Sequence, residues 1–169
     1  FFESYNQKKF NLANSQDYCF VQDNQSISSR GTLRGIHFQI EPMAQAKLVQ
    51  VLEGEIYDVA VDLRKDSKTY CQWVSVKLSS SNHHQLFIPE GFAHGFLCLS
   101  DECTVNYKCS AYRNPDSERT LHWNDQNISI KKVHSFISFI IGSFLGLISG
   151  IVGIGGGIFL SPILFLLKA

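Results

Sequence analysis

Lys47-Leu-Val-Gln-Val-Leu-Glu-Gly-Glu-Ile-Tyr-Asp-Val-Ala-Val-Asp-Leu-Arg64 is the stretch that decides the fold class. Val49 and Val51 precede Glu53-Gly54; after it, Ile56, Asp58, Ala60 and Asp62 alternate with Tyr57, Val59, Val61 and Leu63. A period of two is the mark of extended strands. Glu53-Gly54, set between two such runs, reads as a hairpin turn. The alternation puts Asp58 and Asp62 on one face, opposite the apolar one. Moving outward, Thr69 to Leu78 predicts a further strand, with Tyr70, Val74, Val76 and Leu78 in register. Ser79-Ser-Ser-Asn82 predicts a turn. Gln85 to Ile88, Gly95 to Leu99 and Thr104 to Ala111 predict more short strands, with no amphipathic helix between them. Short strands punctuated by turn residues imply an all-β domain over residues 1–130, an antiparallel β-sandwich or barrel of the jelly-roll kind.

Composition narrows the possible functions. The chain has 169 residues, 15 Lys plus Arg and 15 Asp plus Glu, so its formal net charge is zero. No basic excess is available to displace counterions from nucleic acid, which argues against that partner. The five cysteines form no Cys-x-x-Cys pair. Free thiols in a reducing compartment are expected, not a zinc site or a disulfide framework. The opening residues, Phe1 to Phe20, are polar and charged and do not read as a secretory signal. Charged residues are 18% of the chain and very unevenly spread. Apart from Lys168, all lie at or before Lys132, and residues 136–167 carry none. A spanning helix needs about 20 apolar residues. The run 136–167 therefore predicts a C-terminal transmembrane helix after a linker at 131–135, with small-residue spacing at Gly142, Gly146 and Gly150. Gly155-Gly156-Gly157 and Pro162 interrupt it. Lys131 and Lys132 place the β-domain on the cytoplasmic side, which would leave it anchored to the cell membrane.

Three polar motifs stand out. Leu33-Arg-Gly-Ile-His-Phe-Gln39 and Gln45-Ala-Lys47 bring Arg34, His37 and Lys47 within fourteen residues. A base beside a cation suits proton abstraction next to a carbonyl: the base takes the Cα proton and the cation stabilises the enolate oxygen. Ile88-Pro-Glu-Gly-Phe-Ala-His94 has the Pro-x-Gly-x-x-His order of the second motif of cupin barrels. In metal-binding cupins its partner motif carries a His-x-His and a Glu. Here that region reads His37-Phe-Gln39, leaving His37 and His94 alone, too few for a metal site. Tyr107-Lys-Cys-Ser-Ala-Tyr112 supplies two tyrosines at odd spacing, either of which could serve as a general acid; the residues themselves do not choose between them.

Taken together, Val21-Gln-Asp-Asn24, Leu33 to Gln39, Gln45 to Val49, Asp58 to Arg64, Ile88 to Phe96 and Trp123-Asn-Asp125 resemble the dTDP-4-dehydrorhamnose 3,5-epimerase family from Phe1 to about Ile130. The resemblance implies a metal-free, cofactor-free cupin-type jelly roll working as a homodimer. It implies epimerisation of dTDP-4-dehydro-6-deoxy-D-glucose at C3 and C5, giving dTDP-4-dehydro-L-rhamnose in dTDP-L-rhamnose biosynthesis. By the same resemblance His37 is the base, Lys47 steadies the enolate and Tyr107 is the acid, with Tyr112 nearby. Glu3, Gln22, Asp23, Asn24, Arg34, His94 and Glu118 bind the nucleotide sugar.

Against the family pattern the chain reads as truncated at both ends. An Arg-Gly expected before Phe1 is missing, as is a Leu-Ser-x-Lys-Asp segment whose Asp would orient the catalytic His. Asp58 or Asp62 is the expected substitute for that Asp. The stretch Gly146 to Pro162 resembles the first membrane segment of the sulfite-exporter permeases. Two competing readings follow: a catalytically weakened nucleotide-sugar-binding barrel tethered to the membrane, or the N-terminal fragment of a permease fusion.

Overall fold

The computed structural model describes residues 1–14 and 16–122. After helix α1 (Gln7–Asn14) come nine strands: β1 (Gln22–Ser29), β2 (Leu33–Gln39), β3 (Lys47–Glu53), β4 (Glu55–Asp62), β5 (Trp73–Ser79), β6 (Gln85–Ile88), β7 (Phe92–Cys98), β8 (Glu102–Cys109) and β9 (Glu118–Thr120). A four-stranded sheet runs β1-β8-β3-β6 and a five-stranded sheet β5-β4-β7-β2-β9. Every registered pair is antiparallel. This is the all-β sandwich expected from the strand pattern.

The sheets close on a core of Val49, Val51, Ile88, Cys103 and Val105 from one side and Ile56, Ala60, Leu78, Phe96 and Cys98 from the other. A second cluster, with Ile36, Tyr57, Val59, Val61, Ala93 and Leu97, belongs to the five-stranded sheet alone and lies on its opposite face. Strand β4 is thus buried on both faces, and the face that carries Asp58 and Asp62 looks across at the other sheet together with Ile56 and Ala60.

The 47–64 stretch does form two strands, but they are not a hairpin. β3 pairs with β8 and β6, whereas β4 pairs with β5 and β7. The chain changes sheets at Gly54, where φ is +76° and a Cβ would strike the Glu102 carbonyl and the Ser100 hydroxyl. Two alternating runs around a glycine look the same locally whether the strands pair or part. The strand expected from Thr69 begins only at Trp73. The cause is Asp62, whose carboxylate accepts from the Arg64 backbone and guanidinium, Ser67 and Thr69, gathering 63–72 into a loop.

The linker at 131–135 and the apolar run 136–167 lie outside the described residues. Among the described residues, no helix is long and apolar enough to cross a membrane. All five cysteines are free thiols, three of them buried.

Candidate active site

Antiparallel register sets the site. Residues directly opposite one another share a face of the sheet. In the four-stranded sheet one row reads Gln22–Cys109–Lys47–Ile88 and the next Asn24–Tyr107–Val49–Leu86. In the five-stranded sheet the facing rows are Ala60–His94–His37–Thr120 and Asp58–Phe96–Arg34. The polar members of the two sets meet around a cavity of about 420 Å³. Its lining includes Asn24, Arg34, His37, Lys47, Tyr107 and Glu118, six of the residues singled out from sequence. A wider, more open hollow along α1, lined by Asn6, Lys8, Asn11 and Asp17 among others, brings together no such base, cation and acid.

His37 is placed by an irregularity in β2, where the register with β7 shifts between Arg34 and His37. Gly35 makes this possible. Its φ is +94°, and a Cβ there would lie 2.5 Å from the His94 carbonyl oxygen and 2.9 Å from Gly95 Cα. Burial, reinforced by the Lys47 charge and by His94, lowers the His37 pKa to about 4. The imidazole is therefore neutral at pH 7 and able to accept a proton. Glu118 pulls the other way, and Arg113 adds to the lowering.

Lys47 starts β3 and is 8% exposed. Burial pulls its pKa below the ordinary lysine value, opposed by Cys109, Glu118 and Asp58. It makes no ion pair with another described residue, so its ammonium remains available to an anionic ligand atom. Tyr107, on β8, holds Ser26 at 2.7 Å between their hydroxyl oxygens. Burial pushes its pKa up to about 12, so the phenol keeps its proton and can act as a donor. Tyr112 lies past the end of β8 and is 63% exposed, with its backbone carbonyl accepting from Gln39 Nε2. Of the two tyrosines, Tyr107 lines the cavity and Tyr112 is not among its lining residues.

The other candidates are spread out. His94 is buried behind the cavity wall, with its ring centroid 6.3 Å from that of His37 and 6.3 Å from that of Tyr107. Its Nε2 lies 2.8 Å from Asp58 Oδ1. Gln22 reaches the rim, donating to Asn24 and accepting from the Arg113 backbone. Asp23 points away from the cavity to Lys108. Glu3 is on the exposed N-terminal arm, paired with Lys9 at 2.7 Å.

Neither proposed substitute for the orienting carboxylate reaches His37. Asp58 is taken by His94, and Asp62 by Arg64, Ser67 and Thr69 at the strand end. The even-numbered face of β4 does look inward, but β7 stands between β4 and β2. Sequence reasoning also passed over Gln25, Ser26, Gln39, Gln45, Cys109 and Arg113, all of which line the cavity. The period-two position of Ser26 relative to Asn24 was a usable signal for one of them; Gln39 is known only from its tertiary bonds to Met43, Tyr112 and Asn114. Among the described residues, no group of three or more His, Cys, Asp or Glu is placed to hold a metal ion.

Comparison with known proteins gives a consistent result. A family profile for dTDP-4-dehydrorhamnose 3,5-epimerase matches residues 1–142, reaching past the 130 expected from the motifs and into the start of the apolar run. A dTDP-4-dehydrorhamnose 3,5-epimerase of Methanothermobacter thermautotrophicus is 55% identical over 130 residues, 77% of this chain and 69% of the relative. One from Shigella flexneri is 52% identical over 131 residues, 78% of this chain and 72% of the relative. The structure superposes on a Legionella pneumophila dTDP-6-deoxy-D-glucose-3,5-epimerase solved with dTDP-4-keto-L-rhamnose. There the TM-score is 0.74 at 46% identity, over 78% of this chain and 69% of that one. The permease resemblance of 146–162 finds no support in these matches, since the family profile ends before it. On the profile and these relatives, the chain belongs to the dTDP-4-dehydrorhamnose 3,5-epimerase family.

Proposed function

We propose that His37, Lys47 and Tyr107 carry out the epimerisation of dTDP-4-dehydro-6-deoxy-D-glucose at C3 and C5. The supporting observation is that a neutral base from one sheet and a protonated phenol from the other line a single cavity, beside the buried Lys47, which makes no ion pair among the described residues. The ketone at C4 acidifies the hydrogens on both neighbouring carbons. His37 removes one of them, and the C–H electron pair moves into the carbonyl to give an enolate. Lys47 stabilises the negative oxygen, more effectively for being out of water. Tyr107 delivers a proton to the opposite face of the same carbon, the enolate collapses to the ketone, and the configuration is inverted. Exchange with solvent returns the proton to the phenolate and removes the one on His37, and the cycle repeats at the second carbon. No redox step and no cofactor enters this scheme.

The dTDP portion of the substrate belongs at the open side of the cavity, where Asn24, Arg34 and Glu118 stand. The homodimer and the membrane attachment through 136–167 are further parts of the proposal, the first carried by the family resemblance and the second by the sequence of that run. Light scattering of the purified chain and its flotation with lipid vesicles test them in turn. The enzymatic reading is tested by supplying dTDP-4-dehydro-6-deoxy-D-glucose to wild type, His37→Asn and Tyr107→Phe and following the sugar configuration by NMR. Wild-type conversion, with loss in both variants, is expected; retained conversion in His37→Asn overturns the assignment.

A further inference from the structure

The cavity lining holds three basic side chains, Arg34, Lys47 and Arg113, against the carboxylate of Glu118. Two of the cations are already committed. Arg34 donates through Nε to Ser28 Oγ at 2.7 Å and through Nη2 to the Ile27 carbonyl at 2.9 Å, which ties it across the two sheets. Lys47 lies deep in the site, at the position of the reacting carbonyl in the scheme above. Arg113 is different. It sits on the rim, its side chain is 66% exposed, and among the described residues its guanidinium is held only by Nη2 on Glu118 Oε2 at 2.9 Å. Nε and Nη1 have no partner among the described residues. Its backbone is nonetheless fixed: the Arg113 N–H donates to Gln22 Oε1 at 3.1 Å, and Gln22 in turn donates to Asn24. A cation with a pinned backbone and spare donors, aimed along the mouth of a cation-rich cavity, suits a ligand carrying several anionic oxygens. Guanidinium groups bind phosphate oxygens in a bidentate manner that a lysine cannot reproduce.

Resting on the reading that the substrate is a dTDP-sugar, we infer that Arg113 is a diphosphate-binding residue that exchanges its rim ion pair with Glu118 for the phosphate oxygens of the substrate. An exposed ion pair of this kind is worth roughly 0–1 kcal/mol and is easily exchanged. The exchange also has a chemical consequence. The groups facing His37 are Lys47 on β3, Arg34 on its own strand, His94 on β7, Asp58 behind it on β4, Tyr107 on β8, Glu118 on β9 and Arg113 after β8. Of these, Glu118 favours the protonated imidazole and Arg113 opposes it. Once Arg113 is neutralised by the diphosphate, its opposition to protonation of His37 is removed, while burial, Lys47 and His94 still hold the base down.

Calorimetry on the full chain tests the inference, with dTDP and thymidine as ligands to wild type, Arg113→Lys and Arg113→Gln. The Gln variant should bind dTDP at least tenfold more weakly than wild type, with thymidine affinity unchanged and the Lys variant in between. The salt dependence of dTDP binding should be shallower in the Gln variant. In steady-state turnover the change should fall on KM and not on kcat. Equal loss for dTDP and thymidine would assign Arg113 a structural role only, and unchanged dTDP affinity would remove it from the site; either result overturns the inference. If wild type converts the dTDP-sugar normally in those same experiments, the assigned activity stands even though Arg113 fails. If wild type neither binds dTDP nor turns over, the activity fails and the inference falls with it.

Discussion

Gly35→Ala tests how the fold aims the base. The backbone at Gly35 has φ +94°, in a region that costs a residue with a side chain about 1–3 kcal/mol. An added Cβ would also lie 2.5 Å from the His94 carbonyl oxygen, 2.9 Å from Gly95 Cα and 3.2 Å from His37 Nδ1. Two of these three neighbours are backbone in β7, the central partner of β2, and neither can rotate away. The strands must therefore separate by several tenths of an ångström, or β2 must slide. A combined loss of about 2–6 kcal/mol follows from strain plus overpacking. At about 2–4 °C per kcal/mol for a chain of this size, the melting temperature should fall by roughly 10 °C. Because His37 is carried by the displaced segment, the rate should fall further than stability alone requires, by on the order of 10²-fold at a temperature where the variant is still folded. Calorimetric melting and NMR-monitored epimerisation, run at 15 °C on the same sample, read the two effects separately. A variant with wild-type melting and wild-type turnover would refute the claim that this close strand approach positions the base.

Other expectations follow from the same geometry. The acid limb of kcat/KM, which reports the free enzyme, should have its midpoint near pH 4 and not near the ordinary histidine value, because His37 is held down to about 4. The unfolded chain binds this proton near pH 6.5 and the folded chain only near 4, so His37 should also make folding less favourable as pH falls through that window; urea titrations at pH 7 and 4.5 check the sign. Tyr107→Phe should slow inversion by on the order of 10² to 10⁴ while leaving proton removal by His37 measurable as solvent exchange, and equal loss of both would mean that Tyr107 is not the acid. Asp58→Asn should cost about 1–3 kcal/mol, the usual penalty for disturbing a fully buried polar contact, and a melting curve like wild type would show that the contact with His94 contributes little.

The strand content was legible because β3, β4 and β5 carry apolar residues at period two and the later strands are spaced by turn residues, and Gln85–Ile88 was read to the residue. Which strands pair was not legible. Val49, Val51, Ile56 and Ala60 point to the same core whether Gly54 closes a hairpin or sends the chain to the opposite sheet. Strand β1, Gln-Asp-Asn-Gln-Ser-Ile-Ser-Ser, gave no strand signal because its inward residues Asn24 and Ser26 face the cavity and not the core. The site was readable to the extent that its chemistry is local: Arg34, His37 and Lys47 lie close in sequence and close in space. Tyr107 needed the four-stranded sheet to bring it opposite. Arg113 and Gln39 became visible only through bonds to distant segments, and nothing in the spacing of Asp58 and Asp62 could show that β7 would keep them from His37.

Deuterium incorporation at C3 and C5 of the dTDP-sugar in D₂O, compared between wild type and His37→Asn, bears most directly on the proposed mechanism. Wild type should place solvent deuterium at both carbons, and His37→Asn should place it at neither above the uncatalysed background, with the fold confirmed by an unchanged circular dichroism spectrum. Undiminished deuterium uptake in His37→Asn would contradict the account, since another group would then be removing the protons.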